Sequence, residues 1–95
     1  MEFSPFNPIV KLCLQGMELE AQNNLETALN TYTQAWNEAR NDFEKYLSSY
    51  YIAKLHEDKH QKLSWLESTL SYALKANSPA VNTALPSLYQ TLAEC

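Results

Sequence analysis

A single glycine, Gly16, serves a chain of 95 residues, and that scarcity restricts the fold more than any other feature. Sandwiches, barrels and dinucleotide-binding α/β units close many turns at positive φ, a conformation that glycine adopts at little cost. One glycine cannot supply them. Helices joined by short polar links need far fewer such positions, so the expected class is all-α. Hydrophobic residues make up 45% of the sequence and charged residues 19%, which is material for a packed core and not for a disordered tail. At this length one domain is expected, burying roughly 65% of the unfolded chain's surface and leaving little room for a deep substrate cleft.

Charge narrows the function classes. The net charge is −4, and the seven Lys and Arg residues are scattered, with Lys54, Lys59 and Lys62 as the tightest group. Duplex nucleic acid is bound by a basic stripe that releases counterions, so no nucleic-acid partner is expected. No apolar run approaches the ~20 residues that span a bilayer, and no membrane partner is expected either. Cys13 and Cys95 stand near opposite ends of the sequence, without a cleavable apolar leader, and read as reduced thiols of a cytoplasmic protein. Cys95 is expected to be exposed.

Asn7-Pro8 reads as a helix start, an N-cap side chain followed by proline at the first helical position. From there Ile9, Leu12, Cys13, Gly16, Met17 and Leu19 keep helical spacing up to the polar stop Gln22-Asn23-Asn24. Asn24 is placed to cap a second helix, whose apolar positions Leu25, Ala28, Leu29, Tyr32, Ala35, Trp36 and Ala39 form an amphipathic pattern ending at Arg40-Asn41-Asp42. A third helix runs from about Asp42 to Glu57, with Phe43, Tyr46, Leu47, Tyr50, Ile52 and Ala53, and a turn follows near Asp58-Lys59. A fourth continues to about Ala76, carrying Leu63, Leu66, Leu70, Ala73 and Leu74 on one face. Asn77 ends it, and Ser78-Pro79 offers a new cap. Pro86 interrupts the last stretch: either a short turn precedes a fresh helix, or one helix kinks.

An internal repeat joins these pieces. A shift of 38 residues superposes Leu12 on Tyr50, Leu25 on Leu63, Ala28 on Leu66, Tyr32 on Leu70, Ala35 on Ala73 and Trp36 on Leu74. A second shift carries Tyr50 to Leu88. The pattern is helix, turn, helix, twice over, and then a first helix alone, about five helices in antiparallel helix-turn-helix hairpins.

Gly16 precedes the run Asn24-Leu25-Glu26-Thr27-Ala28-Leu29-Asn30-Thr31-Tyr32-Thr33-Gln34-Ala35, whose small, aromatic and small positions are Ala28, Tyr32 and Ala35. This unit resembles a tetratricopeptide repeat. The second unit departs from the family pattern, with Leu66 and Leu70 in place of the small and aromatic residues, although Ala73 holds. Tyr89-Gln90-Thr91-Leu92-Ala93-Glu94-Cys95 is similar to the first helix of a third repeat. The resemblance implies hairpins stacked as a short right-handed α-α superhelix, a single TPR-like domain over residues 1–95. Repeat one falls at about 7–40, repeat two at about 42–77 and a partial third repeat at about 79–95. A period of 38 exceeds the family's usual length of about 34, which requires slightly long helices or turns. The last residues lack a cap and a polar capping helix, so the chain is expected to be the N-terminal part of a longer array.

Repeats of this family present a concave face built from the first helix of each pair, and such surfaces bind peptides or partner helices. The resemblance places groove positions at Val10, Cys13, Met17 and Glu20, then at Ser48, Tyr51, Leu55 and Asp58, and at Ser87, Gln90 and Glu94 in the last helix. The Lys and Asn residues with which some members clamp a carboxylate are absent from these positions. The implied function is therefore non-enzymatic, a protein-interaction module for an apolar or basic segment. Met17, Tyr51 and Leu55 would bury apolar surface, and Glu20 and Asp58 would select charge. A homodimeric structural module, associating through the open C-terminal helix, is the alternative.

One run carries a different chemistry. His56-Glu57-Asp58-Lys59-His60 spells H-E-x-x-H, which in zinc peptidases sets two histidine ligands one turn apart around a glutamate that activates water. That arrangement needs one continuous helix and a third ligand. Here the run falls where the repeat requires a turn, and no acid lies between Glu67 and Glu94. His56 and His60 are thus weak metal candidates and a zinc hydrolase is the third reading; no catalytic residue, metal or cofactor is expected. Cys13 has no flanking basic group to activate it as a nucleophile. Tyr46, Tyr50, Tyr51, Trp65 and Tyr72, lacking a basic surround, read as helix packing and not as a base-stacking platform.

Overall fold

A computed structural model of the chain describes residues 6–94. Among them are five α-helices and no strand: α1 Pro8–Ala21, α2 Leu25–Glu38, α3 Asp42–Leu55, α4 Lys59–Ala76 and α5 Pro79–Glu94. The all-α class is as the glycine count requires. Cys95 lies outside the described residues.

Three helices start on side-chain caps, of which Asn7 is the one expected from the sequence. Asn7 Oδ1 accepts hydrogen bonds from Ile9 N at 2.7 Å and Val10 N at 3.2 Å, and Asn41 Oδ1 accepts from Glu44 N at 2.8 Å. Asp58 Oδ1 accepts from His60 N at 2.8 Å and Gln61 N at 3.1 Å. Each satisfies amides that the first helical turn leaves without partners. The start of α2 differs. Asn24 has φ −99° and ψ 69°, outside the extended geometry that aims a cap side chain, and it makes no side-chain cap bond. Its N–H instead donates to Leu19 O at 2.8 Å and closes the end of α1.

Two turns that would ordinarily call for glycine are made by asparagine. Asn23 at φ 62° follows α1 and Asn77 at φ 45° ends α4, the short polar side chain tolerating the left-handed region. The sole glycine is used for packing. A Cβ on Gly16 would stand 2.2 Å from Tyr32 Cε1, so α2 approaches α1 over bare backbone. At the end of α3 the helix stops at Leu55, two residues before the expected Glu57, and His56 caps it. α5 runs unbroken through Pro86. Both Asn82 and Pro86 lie on its exposed side, where water can serve the carbonyl that proline leaves without a donor.

The spacing of the hairpins also differs from the sequence shift. α1 and α3 begin 34 residues apart (8 to 42), as do α2 and α4 (25 to 59), not 38. The two figures differ by about one helical turn, so apolar faces superpose nearly as well in either frame. α4 has 18 residues against 14 in α2, and α5 begins 37 residues after α3 (42 to 79).

Each helix packs on the next, and α1 also packs on α3. Central α3 is the most buried, with Phe43, Glu44, Tyr46, Leu47, Ser48, Ser49, Ile52 and Ala53 inside. Its polar members are satisfied. Ser49 Oγ and Thr69 Oγ1 share a hydrogen bond of 2.8 Å between α3 and α4, and Ser48 Oγ donates to Glu44 O at 2.8 Å. No helix among the described residues is long and apolar enough to cross a membrane.

Candidate functional site

α1 packs on α3, and α3 and α5 flank one cleft. On α1, Cys13, Met17 and Glu20 follow at i, i+4 and i+7 and so lie along one side. Glu20 lies near enough to Tyr51 of α3 for its charge to raise that hydroxyl, which puts the tyrosine beside this stripe. Tyr51 stacks on Tyr32 of α2, ring centres 5.1 Å apart at 18°, and Tyr32 Oη donates to Glu20 Oε1. Tyr50 meets Tyr51 edge-on at 5.6 Å, and Lys54 Nζ lies 5.6 Å from the Tyr50 ring centre and 5.5 Å from that of Tyr51. On the far side of Tyr50 a cleft of about 110 Å³ separates α3 from α5, lined by Tyr46, Tyr50, Ala84, Ser87, Leu88 and Thr91.

Burial governs the titration of this face. It pushes the Cys13 thiol up to about 12, so the group is a neutral packing residue and not a thiolate nucleophile. Burial also raises the hydroxyls of Tyr32, Tyr46 and Tyr51; for Tyr32 the hydrogen bond to Glu20 and that carboxylate's charge add to it.

Of the eleven groove positions read from the sequence, Ser87 and Glu94 are exposed on α5 and the other nine divide into three groups. Val10, Cys13 and Ser48 are buried in the core and present no surface to a partner. Met17 is 42% exposed, Tyr51 and Leu55 are half-buried, and all three have apolar surface open to solvent. The polar positions Glu20, Asp58 and Gln90 hold internal hydrogen bonds. Glu20 binds Tyr32, Asp58 caps α4, and Gln90 Nε2 donates to Glu94 Oε2 at 3.4 Å. Asp58 lies beyond the end of α3, off the groove helix altogether.

The one-turn slip explains what the sequence reading missed. Counting 34 residues from Val10, Cys13, Met17 and Glu20 gives Glu44, Leu47, Tyr51 and Lys54, whereas 38 gives Ser48, Tyr51, Leu55 and Asp58. The structure therefore has a lysine where an aspartate was expected to set the charge. Tyr46, Tyr50 and Lys54, spaced i, i+4 and i+8, were the available signal in the sequence.

The H-E-x-x-H run is divided between elements. His56 is the C-cap of α3 and stacks on Trp65 at 6.3 Å, whereas His60 lies in the first turn of α4. No group of three His, Cys, Asp or Glu side chains among the described residues is arranged to hold a metal ion. Trp36, Trp65 and Tyr72 form a separate cluster between α2 and α4. Trp36 meets Trp65 edge-on at 5.1 Å and Tyr72 at 5.7 Å, and Lys45 lies 4.1 Å from the Trp36 ring centre. Comparison of the chain with protein-family models, with curated proteins and with solved structures finds no match.

Proposed function

We propose that the chain is a non-enzymatic docking module, a TPR-like stack of helical hairpins that receives an apolar-faced peptide or helix across α1, α3 and α5. One observation carries the reading: the odd-numbered helices leave thioether and ring surface open in a row, with Met17 42% exposed and Tyr50 and Tyr51 half-buried. Buried aromatic and thioether anchors of this kind supply most of the energy of peptide docking. The hairpin spacing of 34 residues, the contact of α1 with α3 and the Gly16–Tyr32 approach support the TPR-like part of it. A reducing, cytoplasmic location fits the free thiol of Cys13 in the core.

The test is selection of random 12-residue peptides displayed on phage, with the chain immobilised. Peptides retained by the native chain are expected to be lost with Met17→Glu and with Tyr51→Ala, and kept with Met17→Leu. Equal retention by all three variants would remove the groove.

A second reading, association of two copies through α5, has its own observation. Tyr89 is 50% exposed beside half-buried Leu85 and Leu92, an apolar edge on the last helix. Sedimentation over a concentration series decides it: a dimer that Tyr89→Glu dissociates supports it, and a constant monomer mass removes it.

A further inference from the structure

Tyr46, Tyr50 and Lys54 stand in line along α3, each step rising about 6 Å. The two tyrosines line the cleft of about 110 Å³ against Ala84, Ser87, Leu88 and Thr91 of α5. Thr91 Oγ1 donates to Ser87 O at 2.9 Å, so that hydroxyl is satisfied within its own helix. An apolar cavity of about 150 Å³ holds a benzene ring, so a space this size suits one aliphatic or small aromatic side chain.

Lys54 follows Tyr50 by one turn of α3, its ammonium over the rings of Tyr50 and Tyr51. Among the described residues no carboxylate pairs with it, the ion pair there being Arg40 with Glu44. The other lysines over rings are placed differently. Lys45 Nζ is held by Trp36 O at 2.9 Å, and Lys75 lies over Tyr72 of α4, away from the α3–α5 cleft. The three acids among the groove positions hold internal hydrogen bonds, Glu20 with Tyr32, Asp58 with the first amides of α4 and Glu94 with Gln90.

We propose that the α3–α5 cleft takes one apolar side chain of an acidic partner segment, whose carboxylate, one helical turn away, pairs with Lys54. The proposal rests on the docking reading and gives the partner its charge. An ammonium partly shielded by two rings forms a stronger pair with a carboxylate than one in open water. A basic segment in the same place sets like charges together. The chain's net charge of −4 opposes an acidic partner at long range, but that field is screened beyond about 8 Å at physiological salt, so the contact charge decides.

The test uses the full chain and the same library of random 12-residue peptides, with the retained peptides synthesised and measured by fluorescence anisotropy. The expected peptides carry Asp or Glu three or four residues from Leu, Ile or Phe. Lys54→Gln weakens them about fivefold, and Lys54→Glu weakens them further and selects basic peptides instead. Ser87→Trp fills the cleft from its exposed rim and costs at least about tenfold with an unchanged circular dichroism spectrum. The exposed Lys54 variants decide the matter should Ser87→Trp fail to fold. Basic or uncharged peptides that still depend on Met17 and Tyr51 overturn the charge assignment and leave the docking reading standing. Acidic peptides indifferent to both Lys54→Glu and Ser87→Trp overturn it too. If the native chain retains nothing, the docking reading falls and this proposal with it.

Discussion

Asn7 and Glu44, 37 residues apart, each help to begin a helix and hold one another: Asn7 Nδ2 donates to Glu44 Oε2 at 3.0 Å. The remaining side-chain oxygens are in use as well. Asn7 Oδ1 accepts from the first amides of α1, and Glu44 Oε1 accepts from Arg40 N at 2.9 Å while Glu44 N donates to the Asn41 cap. A carboxylate 1% exposed thus ties the start of α1 to the start of α3. Glu44→Ala should cost about 2–4 kcal/mol, because it strands the Asn7 amide and the Arg40 N–H together. Asn7→Ala should cost about 1–2 kcal/mol. The double variant should lose measurably less than the sum in urea denaturation, and strict additivity would show that the pair does not act as one latch.

Gly16→Ala tests the approach of α1 to α2. In an open helix this change stabilises by about 1 kcal/mol. Here the new methyl meets a ring that is fully buried and stacked on Tyr51, so it has little freedom to withdraw. The expected outcome is a loss of about 1–3 kcal/mol of unfolding free energy, read as a lower denaturation midpoint. Gly16→Ala combined with Tyr32→Leu should recover part of it.

Alkaline pH should destabilise the fold. Folding raises the Cys13 thiol from 9.0 to about 12 and raises the hydroxyls of Tyr32, Tyr46 and Tyr51 above 10.0. Above these unfolded values the denatured chain releases protons that the native chain retains, so the stability present below about pH 9 is lost as pH rises. Each proton fully retained steepens the fall by about 1.4 kcal/mol per pH unit. Urea midpoints between pH 8 and 11 should decline, and Cys13 should resist maleimide at neutral pH until the protein unfolds. A flat profile would contradict the burial of these groups.

The left-handed asparagines make a fourth stability test. Asn77→Ala should cost about 1 kcal/mol because alanine pays the steric penalty of φ 45°, whereas Asn77→Gly should be close to neutral. Thermal unfolding of the two variants side by side separates backbone strain from loss of the side chain.

Much of this fold is written locally. Asn7-Pro8, Asn41 and Asp58 begin helices because a cap is a contact between neighbours in sequence, and Asn77 ends one for the same reason. Asn24 was misread because its own N–H is drawn back to Leu19, a bond that composition does not announce. The repeat length was misread for a different reason. Helical patterns recur every turn, so Ala28 and Ala35 align with Leu66 and Ala73 in one frame, while Tyr32 and Ala35 align with Leu66 and Thr69 in the other. Only helix ends distinguish the two. The candidate groove inherited that slip, which exchanged Lys54 for Asp58. Cys13 already stood in the apolar spacing of α1, whereas the burial of Val10 was not legible, since it depends on how closely neighbouring helices lie against α1.

The length of α4 has a consequence of its own. Its last turn, Ala73–Ala76, extends past the point where α2 stops, and α5 begins directly beyond it. Four added residues advance a helix by about 6 Å and turn its exit by about 40°. Where α1 lies directly against α3, α3 and α5 are separated by a cleft of about 110 Å³. Helix length therefore works as a spacer: one turn more or less keeps the core residues in phase while resetting the width of the opening. In such a chain the size of what is admitted can change without any substitution in the surface that admits it.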